Sequence, residues 1–500
     1  MSIPVLIPAP LTMNAINAIA TVHIRNSLVM DQDLIKKYDR PGPRYTSYPT
    51  ADRFVESYGP DEHQVTLSKR QLEDLDKGSD GAVKPLSLYV HLPFCNTICF
   101  YCGCNKVVTK DHGRSAKYLR YLEREVALVS RHLTGSRRVE QLHLGGGTPT
   151  FLSADELTEL MAILGRHFEM AVDQNDVMAR NSREFSIEID PRTVDTHKIE
   201  TLARLGFNRM SVGVQDFDEE VQRAVNRIQS EAETAAAIDT ARANGFTSIN
   251  IDLIYGLPKQ HVIGFDRTLE RVIQMKPDRI ALYSYAHLPT LFKPQRGIAD
   301  ADLPTAEVRL QILALAIQKL GEAGYVYIGM DHFALPHDEL AVAASQAQLH
   351  RNFQGYSTRP DCDLLAFGVS AISNIGTSYS QNVKALDQYY EALDRGELPV
   401  LRGTELDGDD LLRRDVIQTL MCDFELSLPM VEAVHSIKFH DYFSDEWRAL
   451  QQLEHEHLIE LDDSHIRITP SGRLLVRIVA MVFDRYLKVG MVRERYSKVI

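Results

Sequence analysis

Four of the six cysteines in this chain fall within ten positions: Cys95, Cys99, Cys102 and Cys104. The first three stand in Cys95-Asn96-Thr97-Ile98-Cys99-Phe100-Tyr101-Cys102, a C-x3-C-x2-C spacing directly after an apolar, β-branched segment. Thiolates are the usual ligands of iron–sulfur clusters. Zinc sites ordinarily join one C-x2-C to a second, distant pair, and this sequence has no second pair. Three thiolates on a four-iron cluster leave one iron open. That iron suits the amino and carboxylate groups of S-adenosylmethionine, whose carbon–sulfur bond an electron from the cluster can break. The alternatives are a structural zinc site completed by Cys104, or inert cysteines.

A second candidate is Gly145-Gly146-Gly147-Thr148-Pro149-Thr150, at the end of a strand read over Val139–Leu144. Three glycines let a ligand approach the backbone closely. The loop has neither the Gly-Lys-Ser of a phosphate-binding loop nor a G-x-G-x-x-G spacing. Further polar residues stand at or just past the ends of other strands: Glu188, Gln215, Asp252 and the pair Ala286-His287. In parallel barrels such strand ends build the active site, although a lone polar residue there is often only a cap or turn former.

The elements that must position these residues alternate. Strands are expected over Leu86–Leu92, Val139–Leu144, Phe185–Ile189, Met210–Val214, Ser248–Ile254, Arg279–Tyr285 and Tyr325–Ile328. Helices fall between them, over Arg114–His132, Ala154–His167, Asp195–Leu205, about 218–244, Gly264–Ile273 and Ala306–Ala323. Such alternation predicts an α/β fold of parallel βαβ units, closed or nearly closed into a barrel. Near residue 400 the rhythm changes to helices from Asp409 to about 455. A short hairpin follows at Ile459–Leu461 and Ile466–Ile468, then a helix over Ser471–Leu487, a winged-helix-like arrangement.

A net charge of -13 lowers the case for a nucleic-acid partner, which needs a basic face. The absence of a long apolar run argues against a bilayer span, and clustered cysteines without a signal sequence point to a reducing, cytoplasmic compartment. Residues 1–29 are expected to form a disordered extension. Residues 30–83 are expected to pack on a catalytic domain at 84–400, which a helical domain follows at 401–500.

The cysteine loop resembles that of the radical S-adenosylmethionine superfamily, whose fold is a partial parallel (βα) barrel. Several segments narrow the resemblance: Gly42-Pro43-Arg44-Tyr45-Thr46-Ser47-Tyr48-Pro49-Thr50, Gly103-Cys104-Asn105, Asn250 to Pro258, Gly329-Met330-Asp331-His332-Phe333 and His350 to Tyr356. Together these are similar to the oxygen-independent coproporphyrinogen III oxidase family, from about Met30 to Ile500. The resemblance implies one 4Fe-4S cluster on Cys95, Cys99 and Cys102 and two S-adenosylmethionine molecules. Tyr89, Gly146, Glu188 and Ile372 would contact the first of these. Tyr101, Gly147, Thr148, Gln215, Arg227, Asp252 and Ala286 would contact the second.

It further implies that two propionates of coproporphyrinogen III become vinyl groups in porphyrin and heme biosynthesis, giving protoporphyrinogen IX. Tyr89 and Cys104 would belong to the catalytic site, Cys104 as a family residue that does not ligate the cluster. The expected partners are the substrate, a reducing partner for the cluster and an electron acceptor, with the chain a monomer. Arg44 and Arg351 are candidates for the substrate carboxylates, and His332 and His350 for the substrate wall. A heme-binding chaperone on the same scaffold is the alternative; such relatives usually lack the cysteine at Cys104 and the segment Arg44–Thr50.

Overall fold

A computed structural model describes residues 28–76, 84–170, 182–359, 362–488 and 496–499. Except for Leu28 and Val29, the expected disordered extension lies outside them.

The apolar runs form a single large sheet. Its first six strands are β1 (Leu86–Leu92), β2 (Val139–Gly146), β3 (Glu184–Ile189), β4 (Arg209–Gln215), β5 (Ser248–Tyr255) and β6 (Arg279–Ser284). They pair in chain order and all parallel, so each connection between neighbours is a crossover. Two short strands, β7 (Val326–Gly329) and β8 (His332–Ala334), continue one edge, β8 pairing antiparallel with β6 and β7 antiparallel with β8. On the other side β9 (Asp363–Phe367) lies parallel to β1. From it β10 (Ile372–Ile375), β11 (Ser378–Asn382) and β12 (Val400–Glu405) run as an antiparallel meander. Among the described residues the sheet holds twelve strands and stays open, β12 at one edge and β7 at the other. The fold is therefore a partial (βα) barrel, as the resemblance implies and more open than the closed or nearly closed barrel the alternation predicts, extended by strands that alternation does not reveal.

Period-two alternation explains the polar lumen. In β5 the outward residues Ile249, Ile251, Leu253 and Tyr255 are buried under helices, while Asn250, Asp252 and Ile254 face inward and are half-buried. Parallel register sets Glu188 opposite Ser211, and Gly213 opposite Asp252. The polar residues of consecutive strands thus share one face. A hairpin, His350–Asn352 with Gly355–Ser357, packs against the lumen side, where the Ser357 hydroxyl accepts from Gln141 Nε2 at 3.3 Å.

The C-terminal region is mainly helical, with helices Gly408–Asp423, Leu428–His435 and Ser444–His455 before the expected hairpin. Strand Glu425–Ser427 completes a three-stranded sheet there. The single helix read over Ser471–Leu487 is corrected. It is broken into a 3-10 turn at Arg473–Leu475 and two helices, Val476–Val482 and Arg485–Lys488. The cause is buried Asp484, whose carboxylate accepts from Tyr45 Oη at 3.0 Å and caps the Tyr486 N–H at 2.9 Å.

Residues 41–55 bind both the barrel and this region. Buried Arg477 donates to the Pro43, Lys498 and Val499 carbonyls at 2.8, 3.0 and 3.1 Å. Val55 bridges to Gly403. Among the described residues no helix is long and apolar enough to cross a membrane.

Candidate functional site

The cysteine loop leaves the carboxyl end of β1. Phe94-Cys95 pairs in parallel with Val107-Val108, clipping the loop at its base. The Val107 N–H donates to Pro93 O at 2.7 Å and the Thr109 N–H to Cys95 O at 2.9 Å. The loop's middle is held from across the barrel. Phe100 N–H donates to Val225 O at 2.9 Å, and Asn226 Nδ2 to Ile98 O at 2.7 Å.

Those anchors come from a break in the region read as helical over about 218–244. Helices Glu219–Ala224 and Glu231–Ala243 are separated there, with Asn226 left-handed at φ 54°. The break turns Arg227 inward, where it is 7% exposed. Its guanidinium lies 3.7 Å from Cys99 Sγ and 3.1 Å from Asp190 Oδ2, and donates to Gly213 O at 2.6 Å.

The glycine loop meets the cysteine loop directly. Gly147 N–H donates to Leu92 O and Thr148 N–H to Phe94 O, each at 2.8 Å. Thr148 Oγ1 lies 3.5 Å from Cys95 Sγ. The glycines have a structural reason beyond ligand access. A Cβ on Gly147 would sit 2.7 Å from the Pro93 backbone, and Gly146 combines φ +116° with a His91 ring 2.7 Å from where its Cβ would be.

One cavity of about 510 Å³ gathers most of the expected residues. Its walls include all four clustered cysteines, Tyr101, Gly146, Gly147, Thr148, Glu188, Gln215, Arg227 and Asp252. Cys95 and Cys99 are buried, Cys102 is half-buried and Cys104 is exposed. Burial pushes the Cys95 thiol up to about 11, against the Thr148 hydrogen bond. Cys102 is held down to about 6, first by a hydrogen bond from Cys104 and then by Lys106. Three thiols on one clipped loop, with hydroxyl, guanidinium and ammonium groups around them, fit an iron–sulfur cluster, whose sulfurs take hydrogen bonds.

Burial tends to raise Glu188, but the His143 hydrogen bond and charge and the Gly146 N–H outweigh it and keep the carboxylate ionised. The contacts are 3.3 Å to His143 Nε2 and 3.1 Å to Gly146 N. Tyr89 stacks on His143 with centroids 5.8 Å apart, and its hydroxyl is 3.1 Å from His91 Nδ1. It does not line the cavity.

Gln215 ends β4 at φ 69°, and its buried Oε1 has no hydrogen-bond partner, an acceptor left for a ligand. Burial drives Asp252 up to about 6, opposed by the Ser211 hydrogen bond at 2.9 Å.

This shift has a sign. A carboxyl raised on folding stabilises the fold fully below its unfolded value, and that contribution is lost as pH rises through about 6. Ligand-free wild type should therefore lose on the order of 3 kcal/mol between pH 4 and 7 relative to Asp252→Asn. Thermal melts of both proteins across that range check it. Parallel curves would show that Asp252 titrates normally.

Ala286 and Ile372 lie outside this cavity's walls. The Ala286 carbonyl accepts from Gln295 Nε2 at 3.1 Å, and the same amide donates to Tyr101 O at 3.0 Å, so one side chain ties the two residues. Ala286 lines a neighbouring cavity of about 400 Å³. Ile372 is on β10, opposite Gln381, and packs against the cluster of Phe54, Tyr379 and Leu406.

Sequence reading missed Asp190, Arg192, Lys106 and Tyr283 as cavity walls. Asp190 was findable as the Asp of an Asp-Pro turn closing β3, and Tyr283 from the inward phase of β6.

Of the carboxylate-binding candidates, Arg44 forms an ion pair with Asp331 and lies over the Tyr283 ring at 6.0 Å. Arg351 is buried over the Tyr356 ring at 4.8 Å. His332 lies edge-on between the Tyr283 and Tyr356 rings. His350 lines a separate cavity with Cys362 and Asp363.

Comparison with known proteins agrees with this geometry. Residues 89–272 match the Radical SAM superfamily, and residues 406–475 match the HemN C-terminal domain. An oxygen-independent coproporphyrinogen III oxidase of Pseudomonas aeruginosa is 52% identical over 470 residues, covering 94% of this chain and 98% of that protein. The Escherichia coli oxidase is 46% identical over 470 residues, with the same two coverages. The solved structure of coproporphyrinogen III oxidase (HemN) from Escherichia coli, described as a radical SAM enzyme, superposes with a TM-score of 0.84. It is 44% identical and covers 92% of this chain and 100% of that one.

Proposed function

Because the chain belongs to the oxygen-independent coproporphyrinogen III oxidase family, we propose that it converts two propionates of coproporphyrinogen III to vinyl groups, giving protoporphyrinogen IX. The observation that carries this reading is the single cavity in which Cys95, Cys99 and Cys102 meet the glycine loop and the strand-end residues Glu188, Gln215 and Asp252. When bound, a 4Fe-4S cluster and S-adenosylmethionine supply a hydrogen-abstracting carbon radical, so that each propionate loses a hydrogen atom, carbon dioxide and one electron.

The residues position and insulate. Cys95, Cys99 and Cys102 are the proposed cluster ligands, and Thr148 and Arg227 donate toward two of their sulfurs. Ionised Glu188 offers an anionic acceptor to an ammonium group. Gln215 offers its unpaired oxygen. Ile189 and Ile254 add apolar wall that limits water near a reactive carbon.

Two S-adenosylmethionine molecules are proposed. Tyr89, Gly146, Glu188 and Ile372 serve the first; Tyr101, Gly147, Thr148, Gln215, Arg227, Asp252 and Ala286 serve the second. Tyr89 and Cys104 complete the proposed catalytic set. A reducing partner and an electron acceptor complete the chemistry, and the chain is proposed to work as a cytoplasmic monomer without nucleic-acid or membrane partners.

The test of the two-molecule reading is equilibrium dialysis of S-adenosylmethionine against anaerobically reconstituted protein. Two equivalents bound per chain support it. One equivalent, unchanged by Gln215→Ala, contradicts it.

A further inference from the structure

We infer that the cavity of about 400 Å³ beside β6 is an anion site, in which Arg309 meets a carboxylate arm of the tetrapyrrole that the reaction leaves intact. This rests on the oxidase reading and specifies its substrate site.

The charge on its walls singles this cavity out. Arg44, Arg309, Arg477 and Lys498 line it against one carboxylate, Asp331, in a chain of net charge -13. The cysteine cavity is balanced by comparison, with Lys106, Arg192 and Arg227 facing Glu188, Asp190 and Asp252. Asp331 is taken by Arg44, and Lys498 pairs with Asp39. Arg309 and Arg477 pair with no carboxylate among the described residues. Arg477 directs its N–H groups to the carbonyls of Gly42, Pro43, Lys498 and Val499, so it adds charge rather than a contact. Like charges crowd here. Burial, then Arg44 and Arg351, lower Arg477 to about 9; burial, then Arg351, lower Arg44 to about 10. The remaining wall is largely apolar, with Leu282, Leu288, Leu313, Phe333 and Leu474, and in such surroundings an anion is attracted more strongly than in water.

Arg309 is the cation free to answer. It stands near the start of helix Ala306–Glu322, half-buried, and gives an N–H to Ser284 Oγ at 2.8 Å. Its Nε is buried against Gly256 without a partner. Its other terminal nitrogen, Nη1, donates to nothing and, unlike Nε, is open to water. A guanidinium with an open end on a cavity matches a carboxylate.

Strands β5 and β6 separate this cavity from the cysteines. Ile254 and Tyr283 face the cysteine cavity, whereas Tyr255, Leu282 and Ser284 face the cationic one. The strand ends are the way between them. Arg44 lines the cationic cavity and lies over the Tyr283 ring, and Gln295 ties Ala286 on its wall to Tyr101 in the cysteine cavity. A ligand reacting beside the cysteines reaches over β6 with an arm that does not react. Coproporphyrinogen III has the chemistry for this, with four carboxylates on an apolar body, two of which survive the reaction. S-adenosylmethionine sets a sulfonium and an ammonium against one carboxylate, and the wall cations repel it.

Both molecules carry a carboxylate, so the experiment separates them. Full-length reconstituted Arg309→Met and Arg309→Lys are titrated with coproporphyrin III by fluorescence, and with its tetramethyl ester as the uncharged body. S-adenosylmethionine cleavage is followed through 5′-deoxyadenosine. Arg271→Met, which removes a cation from the outer helix Val262–Met275, controls for net charge. Arg309→Met should weaken coproporphyrin III about tenfold and leave ester binding and the KM for S-adenosylmethionine within twofold. Arg309→Lys should recover part of the affinity, and Arg271→Met should match wild type. Unchanged coproporphyrin III affinity in folded Arg309→Met overturns the assignment, as does an equal loss in Arg271→Met. So does a raised KM for S-adenosylmethionine with coproporphyrin III intact, which would give Arg309 to the methionyl carboxylate.

Should Arg309→Met fail to fold, Leu288→Glu places a carboxylate on the same wall and should weaken the acid but not the ester. An unaltered acid-over-ester preference there is contrary. A wild type that binds coproporphyrin III through Arg309 without decarboxylating it would refute the oxidase reading and leave this site standing.

Discussion

Replacing Cys95, Cys99 or Cys102 by alanine is expected to reduce bound iron and sulfide to background and to lower turnover by more than about 10³-fold, whereas Cys104→Ala keeps its iron. All four thiols border the same cavity, so proximity alone does not separate them. Their settings do. Cys95 is fixed at the clip between Phe94-Cys95 and Val107-Val108 and takes a contact from Thr148. Cys99 lies between the Phe100 anchor and the Arg227 guanidinium. The Cys102 N–H bonds the Cys99 carbonyl at 3.3 Å, closing the turn that presents both. Cys104 is exposed, and its thiol is a hydrogen-bond partner of Cys102. Iron and acid-labile sulfide analysis with a visible spectrum reads the result. Equal iron loss in Cys104→Ala would make Cys104 a ligand and revive the zinc or four-thiol alternative.

The second large effect falls on a residue with no functional group. A methyl on Gly147 would meet the Pro93 carbonyl carbon and oxygen at 2.7 Å and the Phe94 oxygen at 2.8 Å. All three are backbone atoms, so no side chain can swing away. The same stretch accepts the Gly147 and Thr148 N–H groups, which leaves no slack. Gly147→Ala must therefore separate the glycine loop from the base of the cysteine loop. It should cost about 1–3 kcal/mol of stability and, because a displacement near 1 Å disrupts reacting geometry, about 10²-fold in turnover. Gly165→Ala is the control. Nothing lies within 4 Å of its added Cβ at the end of helix Ala154–Gly165, so activity should hold and Tm should stay level or rise. A Gly147→Ala enzyme with normal turnover would show that the contact between the two loops does not position the site.

Most of the barrel was legible because its strands are apolar and its helices long and amphipathic, the two signals sequence carries best. The break at Asn226-Arg227 was not. Residues on both sides have helical character, and the stop depends on Arg227 reaching Asp190 and Gly213 across the barrel. The strand Ser378–Asn382 was hidden for the opposite reason. It is polar yet buried throughout, since Asn382 Nδ2 is satisfied by Glu125 at 2.6 Å and Gly368 O at 2.9 Å, and Gln381 accepts from Arg402 at 2.8 Å. Such compensation belongs to the assembled fold.

The site was legible wherever a residue sits on the chemistry-bearing loop or at a strand end. Cys95, Glu188 and Asp252 are of this kind. Partners recruited from elsewhere were not, and Lys106, Arg192 and Tyr283 emerge only when the strands are laid side by side. Arg44 and Arg351 looked equivalent in sequence. Asp331 pairs with Arg44, whereas Arg351 lies over the Tyr356 ring and donates to the Arg44 carbonyl, and that is what distinguishes them.

The central claim is tested most directly by incubating anaerobically reconstituted, reduced protein with S-adenosylmethionine, an electron acceptor and coproporphyrinogen III. 5′-Deoxyadenosine and tetrapyrrole products are then quantified together. The account predicts protoporphyrinogen IX, with 5′-deoxyadenosine formed in proportion to the vinyl groups made. 5′-Deoxyadenosine released while all four propionates persist would contradict it and favour the heme-binding alternative on the same scaffold.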